Sequence, residues 1–384
     1  MKYFAILIFF ISINSVFSQR LKIRILNEKN VKSLIFAPAV GKYNIYCDTL
    51  LIVTLNKNEV VNIIQNGDSI DLKNLNSKLG TFKSLNFIGV ANANYAKIKC
   101  VIPSINQRLY DDDFKITIFN KSFNIINDVE IENYVAGVVE SEGGQKANIE
   151  YYKTQAVLCR TYALENLTRH ILEGYYLCDN VHCQAYNGKS LSNFDIPEAT
   201  SSTSGLVIVD STLNLITAAF HSNCGGQTVG SEDVWIKSKS YLKPVIDSYC
   251  INERCAIWEK TIPLEKWKQY LKSNGFLINN YPNDSSIYNF NQIARKTYYR
   301  ILNDSIALRK IRLDFNLRST FFNVIVSNNN LLLKGRGYGH AVGLCQEGAM
   351  QMAKRGISYQ EIIKFYYKNT YIVSLRALNF FKTP

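Results

Sequence analysis

From Arg20 to about Asn124 apolar and polar positions alternate with a period of two. Leu21, Ile23 and Ile25 are offset by Arg20, Lys22 and Arg24. Ile98 and Cys100 are offset by Lys97 and Lys99, and Phe114, Ile116 and Ile118 by Lys115 and Thr117. Turn signals such as Asn66-Gly67-Asp68 separate the runs. Alternation bounded by turns predicts antiparallel strands with one face in a core and a Lys/Arg-bearing face in water. At Asn148 the period changes. Ile149, Tyr152, Ala156, Cys159, Ala163, Leu167 and Ile171 recur at three- and four-residue intervals and predict one long helix. Asn148 reads as its N-cap, Glu150 lies in its first turn and Gly174 ends it. Gly205 to Asp210 and Leu215 to Phe220 read as strands. Gln346 to Arg355 reads as a short helix closed by Gly356, and Ser358-Tyr359-Gln360-Glu361 as a capping box opening a last helix through Tyr367. Lys272 to Ala307 is rich in Asn, Ser and Tyr, shows little periodicity and reads as an irregular insertion near 272–307. The fold class expected is α+β, mostly β, with an N-terminal antiparallel β region, a long central helix and short C-terminal helices.

Before the first strand, Met1-Lys2 leads into an apolar run from Tyr3 to Ile11, interrupted afterwards by Ser12, Asn14 and Ser15. A charged start, a short apolar stretch and a small residue at Ser18 predict a signal peptide over 1–18, cut near Ser18-Gln19. No cysteine follows the cut, and no later run approaches the ~18 apolar residues of a spanning helix, so no stable membrane anchor is expected. The mature chain is expected in the periplasm or outside the cell, where disulfides are permitted. The 384 residues are 47% hydrophobic and 20% charged, which excludes wholesale disorder. A net charge of +13 favours an anionic partner. Export argues against nucleic acid as that partner, and solvated strand faces account for part of the excess. The nine cysteines are odd in number, so at least one thiol stands outside any intrachain disulfide.

Four segments concentrate chemistry. Glu142 ends the apolar run Tyr134 to Val139, just before Gly143-Gly144 and the long helix. A carboxylate between a buried strand and a helix start is partly desolvated, which raises its pKa towards general-acid use. On the helix that follows, Gln155, Cys159 and Tyr162 share a side, with Arg160 one residue round; Cys159 lies on the apolar face and reads as core. Cys178, His182 and Cys183 supply three thiolate or imidazole donors in a tight loop, with His170 as a fourth, which suits zinc; a Cys178–Cys183 disulfide is the competing reading. Phe220-His221-Ser222-Asn223-Cys224-Gly225-Gly226 ends a strand in a His-Ser pair and a glycine turn, without the elbow pattern of a serine hydrolase. Gly335 to Met350 is a glycine-dense loop carrying His340 and leading to Gln346. It lacks the Lys-Ser/Thr end of a phosphate-binding loop and better suits a cleft wall.

Together with Glu232-Asp233-Val234-Trp235, these segments resemble, in order, the stage II sporulation protein D family (SpoIID/LytB-like domain) over roughly residues 110–375. The resemblance implies a SpoIID/LytB-like domain at 109–384 behind an N-terminal β region at 19–108. It implies a peptidoglycan lytic transglycosylase acting on glycan strands, with the catalytic glutamate at Glu142. The family's Gln and Arg fall on Gln155 and Arg160, and its zinc segment on Cys178, His182 and Cys183, which favours structural zinc over the disulfide. No organic cofactor is expected. Tyr162, His221, Ser222, Gly225, Gly226, His340 and Gln346 are the further residues expected to face sugars. LytB-like relatives modify a separate cell-wall amidase, so the alternative is a non-catalytic glycan-binding module. Glu140 stands where the family usually has proline. Cys224 and Cys345 replace a small residue and a serine or similar one, which raises the expectation of a disulfide across the cleft.

Overall fold

The computed structural model describes residues 19–382 apart from 91, 92, 145, 236 and 283; the expected signal peptide lies outside the described residues. The chain divides into two units, one running to Tyr134 and the other beginning at Val135.

Among the described residues the first unit holds twelve strands: β1 (Arg20–Ile25), β2 (Ser33–Val40), β3 (Tyr43–Cys47), β4 (Leu50–Leu55), β5 (Val61–Asn66), β6 (Ser69–Lys73), β7 (Lys78–Phe82), β8 (Ser84–Gly89), β9 (Tyr95–Ile102), β10 (Arg108–Asp111), β11 (Asp113–Phe119) and β12 (Ser122–Glu130). One sheet takes the order β1-β12-β11-β8-β3-β4, the other β10-β9-β2-β5-β6-β7. The alternation seen in sequence is the alternation of burial: Leu21, Ile23 and Ile25 are buried, and Arg20 and Lys22 are exposed. Phe36 on β2 packs against Phe87 on β8 and Phe114 on β11 at ring distances of 4.5 and 5.5 Å, so the two sheets face each other across one aromatic core. The motif-based boundary at 108/109 cuts β10. Strands β11 and β12 pair with β8 and β1, so they pack with the N-terminal unit.

Helix α1 (Ile131–Gly143) follows, then α2 (Ile149–Glu165), β13 (Leu177–Cys178), α3 (Asp195–Ser202), β14 (Leu206–Val209) and β15 (Phe220–His221). The run before Glu142 is therefore helix, not strand. Ile131, Tyr134, Val135, Val138 and Val139 are spaced three and four apart and all are buried. Their valines favour strand locally, but the helical spacing sets which face packs. Helix α2 starts where expected, with the Asn148 side chain accepting from the Glu150 N–H at 2.9 Å. It stops at Glu165, nine residues short of Gly174. The Asn166 side chain donates to the Tyr162 carbonyl at 2.9 Å, capping the helix. Ile171, which fits the helical period, is 54% exposed and sits in a separate 3₁₀ turn. Twelve residues of α2 are buried, on all its sides, so it is a central helix with little amphipathic contrast.

The remaining elements are β16 (Ile257–Pro263), α4 (Leu264–Ser273), β17 (Tyr298–Ile301), β18 (Asp304–Ala307), α5 (Leu308–Asp314), β19 (Phe321–Ser327), β20 (Asn330–Arg336), β21 (Leu344–Cys345), α6 (Gln346–Lys354), α7 (Tyr359–Tyr366), β22 (Tyr371–Ser374) and α8 (Leu375–Lys382). The predicted insertion is less irregular than its sequence. β17 and β18 form a hairpin, and Tyr288, Phe290, Tyr299 and Ile306 pack with Trp258 and Trp267 in a core of their own. Of the stretch Leu215 to Phe220, only an isolated bridge at Leu215 and the start of β15 are strand. Helices α6 and α7 lie where expected; Gly356 takes a positive φ and Ser358 with Glu361 closes the capping box.

Candidate active site and metal-ligand cluster

Glu142 lies in the last turn of α1, half-buried. Its Oε1 accepts from the Ala185 backbone N–H at 2.8 Å. Burial raises the carboxyl above the usual carboxylate range, and that hydrogen bond only partly opposes it. The negative end of a helix, with no basic residue in the last turn, acts in the same direction. Gln346, the first residue of α6, donates its side-chain amide to the Glu142 carbonyl at 3.3 Å. Two residues earlier in the chain, Glu140 has a different task. It accepts from the Ser190 and Ser192 hydroxyls (2.7 and 2.8 Å) and from the Leu191 and Ser192 N–H groups, and these bonds hold its pKa below the usual range despite burial. Glu140 thus clamps the 190–192 loop.

Strand β15 pairs in parallel with β21, setting Phe220 opposite Leu344 and His221 opposite Cys345. That two-residue ladder brings the His-Ser segment to the start of α6 and the glycine-dense loop. His221 is buried, and its Nδ1 lies 3.2 Å from the Val342 carbonyl. A carbonyl only accepts, so Nδ1 carries the proton and Nε2, buried without a partner in the structure, presents a lone pair. Burial, then His340 and Arg295, hold its pKa well below the usual histidine value. His340 accepts at Nδ1 from the Val342 N–H (3.0 Å), and its ring lies 5.5 Å from His221 and 5.8 Å from Trp235. Burial and then Arg312 push His340 down to about 4, so both imidazoles are neutral at physiological pH. A cavity of about 210 Å³ is lined by His340, Trp235, Arg295, Lys296, Arg309 and Arg312. Glu142 is not among its lining residues. Gly225 and Gly226 line a second cavity of about 560 Å³. At Gly225 φ is +69°, and a Cβ there would sit 2.7 Å from the Arg336 backbone, so only glycine fits. Ser222 is half-buried beside His221, and its carbonyl accepts from the Glu347 N–H at 3.0 Å.

The ligand atoms of His170, Cys178, His182 and Cys183 all lie within 4.8 Å of one another. Cys183 Sγ is 3.4 Å from Cys178 Sγ, 3.7 Å from His182 Nδ1 and 3.6 Å from His170 Nε2. His170 turns its other nitrogen, Nδ1, to Glu173 at 2.7 Å and stacks on Tyr175. The hydrogen bond from Cys178, together with Arg169, pulls the Cys183 thiol down to about 6 against the effect of burial. A thiolate, three further soft or imidazole donors and a carboxylate behind one histidine form a donor set that fits a tetrahedral cation.

Three expected sugar contacts are placed elsewhere. Gln155 and Arg160 are fully buried in α2. The Arg160 guanidinium donates to the Ala156, Leu206 and Thr200 carbonyls at 3.4, 3.1 and 3.3 Å, tying α2 to α3 and β14. Gln155 donates to Cys159 Sγ at 3.7 Å. Tyr162 stands beside the Cys/His cluster, where Arg169 bridges its hydroxyl and the His182 carbonyl. Helical spacing shows which residues share a face but not whether that face meets solvent. The cysteines are unbridged, and Cys224 and Cys345 are joined instead by a hydrogen bond from the Cys224 N–H to Cys345 Sγ at 3.3 Å.

Residues 119–209, which contain Glu142 and the Cys/His cluster, match the SpoIID family, described as stage II sporulation protein. The chain is 30% identical over 265 residues to an uncharacterized protein of Brachyspira hyodysenteriae, covering 68% of this chain and 71% of that relative. It is 26% identical over 279 residues to stage II sporulation protein D of Bacillus subtilis, covering 67% and 78% respectively. This chain belongs to the SpoIID family. A further relative, the amidase enhancer of Bacillus subtilis, is 26% identical over 289 residues, covering 62% of this chain and 40% of the relative. Within this SpoIID-family chain, sequence reasoning missed Arg169, Glu173 and Ala185, and noted Glu140 without its clamping role. Each acts by holding another group in place. A Glu three residues after His170 was the one available signal, since that spacing permits a helical-turn contact.

Proposed function

We propose that this SpoIID-family protein acts on the bacterial cell wall as a lytic transglycosylase, cutting MurNAc–GlcNAc bonds of glycan strands with Glu142 as the single acid and base. The observation that carries the reading is the Glu142 carboxyl, half-buried, raised in pKa and pinned at one oxygen by Ala185, which leaves its second oxygen for a substrate. A hydrolase that adds water across a glycosidic bond usually needs two carboxyl groups. Here the protonated Glu142 would donate to the glycosidic oxygen as the C1–O bond breaks. The resulting carboxylate would take the proton of the muramoyl C6 hydroxyl as that oxygen bonds to C1, closing a 1,6-anhydro ring with no water consumed. The arginine-rich cavity beside Trp235 and His340 suits a carboxylate-bearing sugar. The His170, Cys178, His182 and Cys183 donors suit a structural zinc. Bound there, zinc would stiffen the loop that continues through Gln184 to the Ala185 N–H on Glu142.

The test is denuded glycan incubated with pure wild type and Glu142→Gln. Fragments ending in 1,6-anhydro-MurNAc, made by wild type only, are expected in mass spectra. Reducing muramic ends would make the protein a hydrolase, and equal activity in the variant would remove Glu142 from the mechanism. The amidase enhancer among the relatives favours a second reading, a non-catalytic glycan-binding partner of an amidase. That reading predicts glycan that sediments with the protein, stays intact and is cut faster by added amidase.

A further inference from the structure

A second group of donors lies apart from the Cys/His cluster. Cys224 follows β15, Asp247 and Cys250 lie in the loop before β16, and Cys345 ends β21 as the N-cap of α6. Their ligand atoms all fall within 4.8 Å of one another, and all four residues are buried. Cys224 Sγ lies 3.4 Å from Cys250 Sγ and 3.3 Å from Asp247 Oδ2. We propose that Cys224, Cys250, Cys345 and Asp247 form a closed structural site for a thiophilic divalent cation, with zinc the expected occupant.

Four features argue for a cation over a plain core. First, a carboxylate enclosed by three thiols is costly to bury, and one guanidinium, that of Arg295 donating to the Cys224 carbonyl, balances a single negative charge, whereas a divalent ion balances the thiolates and carboxylate together. Second, the backbone is arranged for a thiolate at Cys345. The Cys224 and Gly348 N–H groups both donate to its Sγ, at 3.3 and 3.4 Å. Third, Asp247 is aimed by outer partners, the Tyr366 hydroxyl on Oδ2 at 2.8 Å and the Tyr249 N–H on Oδ1 at 3.0 Å, as metal carboxylates are. Fourth, the backbone makes room for the carboxylate: a Cβ on Gly348 would stand 2.3 Å from Asp247 Oδ2, so glycine lets Asp247 reach the thiols. A disulfide explains the group less well, because any pairing of three cysteines leaves one thiol beside the carboxylate. Three thiolates and one carboxylate favour a tetrahedral thiophilic ion over calcium or magnesium. With four protein ligands and all of them buried, no position is left for a substrate. The ion would staple β15, the 247–250 loop and the start of α6, the segments that carry His221, Ser222 and Gln346.

The proposal does not depend on the reaction assigned to Glu142. It is tested by zinc content of the full chain as wild type, Cys250→Ser and Cys178→Ser, with alkylation mapping in denaturant and chelator without reductant. Each variant is expected to lose one zinc equivalent that the other retains, and Cys224, Cys250 and Cys345 are expected to alkylate without reductant. Zinc content unchanged by Cys250→Ser, or alkylation of any two of these cysteines only after reduction, overturns the site. Should Cys250→Ser fail to fold, X-ray absorption of wild type replaces it. About 2.5 sulfurs per zinc with both sites filled, or about 3 with this one alone, supports the proposal, and about 2 overturns it.

Discussion

Arg160→Met separates a structural arginine from a sugar-binding one. The side chain is fully buried, and its guanidinium donates to three backbone carbonyls. Ala156 keeps its place in the helical ladder. Leu206 loses a charged donor, and Thr200 is left with the Thr203 hydroxyl at 3.3 Å. Charged hydrogen bonds contribute about 1.5–3 kcal/mol each, so two lost donors cost about 3–6 kcal/mol. Relief from burying a cation offsets part of this, leaving about 3 kcal/mol of destabilisation. For a unit of this size, about 2–4 °C is lost per kcal/mol, which puts Tm about 6–12 °C below wild type. Calorimetry measures it, alongside glycan sedimentation at 25 °C scaled to the folded fraction. Arg160→Lys should fall nearly as far, because a point charge cannot serve carbonyls on three segments. An unchanged Tm together with lost glycan binding would refute the reasoning and return Arg160 to the substrate.

Three further outcomes follow from the site. Burial raises the folded-state pKa of Glu142, so its contribution to stability is complete below the unfolded value of about 4.3 and is lost as pH rises through the folded one. Glu142→Gln, which keeps an acceptor for Ala185, should therefore be more stable than wild type to urea at pH 7, with the gap closing below about pH 4; a gap that widens in acid contradicts this. His340 has the opposite sign: its pKa, lowered to about 4, contributes stability above the unfolded value that is lost as pH falls. His340→Asn should flatten the acid slope of stability between about pH 6.5 and 4 by up to one proton, and an unaltered slope counts against a neutral imidazole. Glu173→Gln weakens the partner of His170 Nδ1 and should lower zinc affinity about 10–100-fold in chelator competition, whereas unchanged affinity would leave Glu173 without a role there.

Periodicity and local chemistry carried much of this protein into the sequence. The alternation of Leu21, Ile23 and Ile25 with Arg20 and Lys22 is strand burial written directly, since a strand's two faces differ by one residue. The Asn148 cap and the Ser358–Glu361 box are legible because a cap needs a particular side chain at a particular offset. The Cys178–Cys183 loop with His170 was legible because ligand types and a short loop restrict what can converge. Tertiary structure decided what depends on distant partners. It made the valine-rich run before Glu142 a helix and closed Arg160 inside the protein. It also gathered Cys224, Asp247, Cys250 and Cys345 from three segments. Spacing along a chain reports neighbours within one element; burial and convergence are set by which elements pack together, and that information is spread over hundreds of residues.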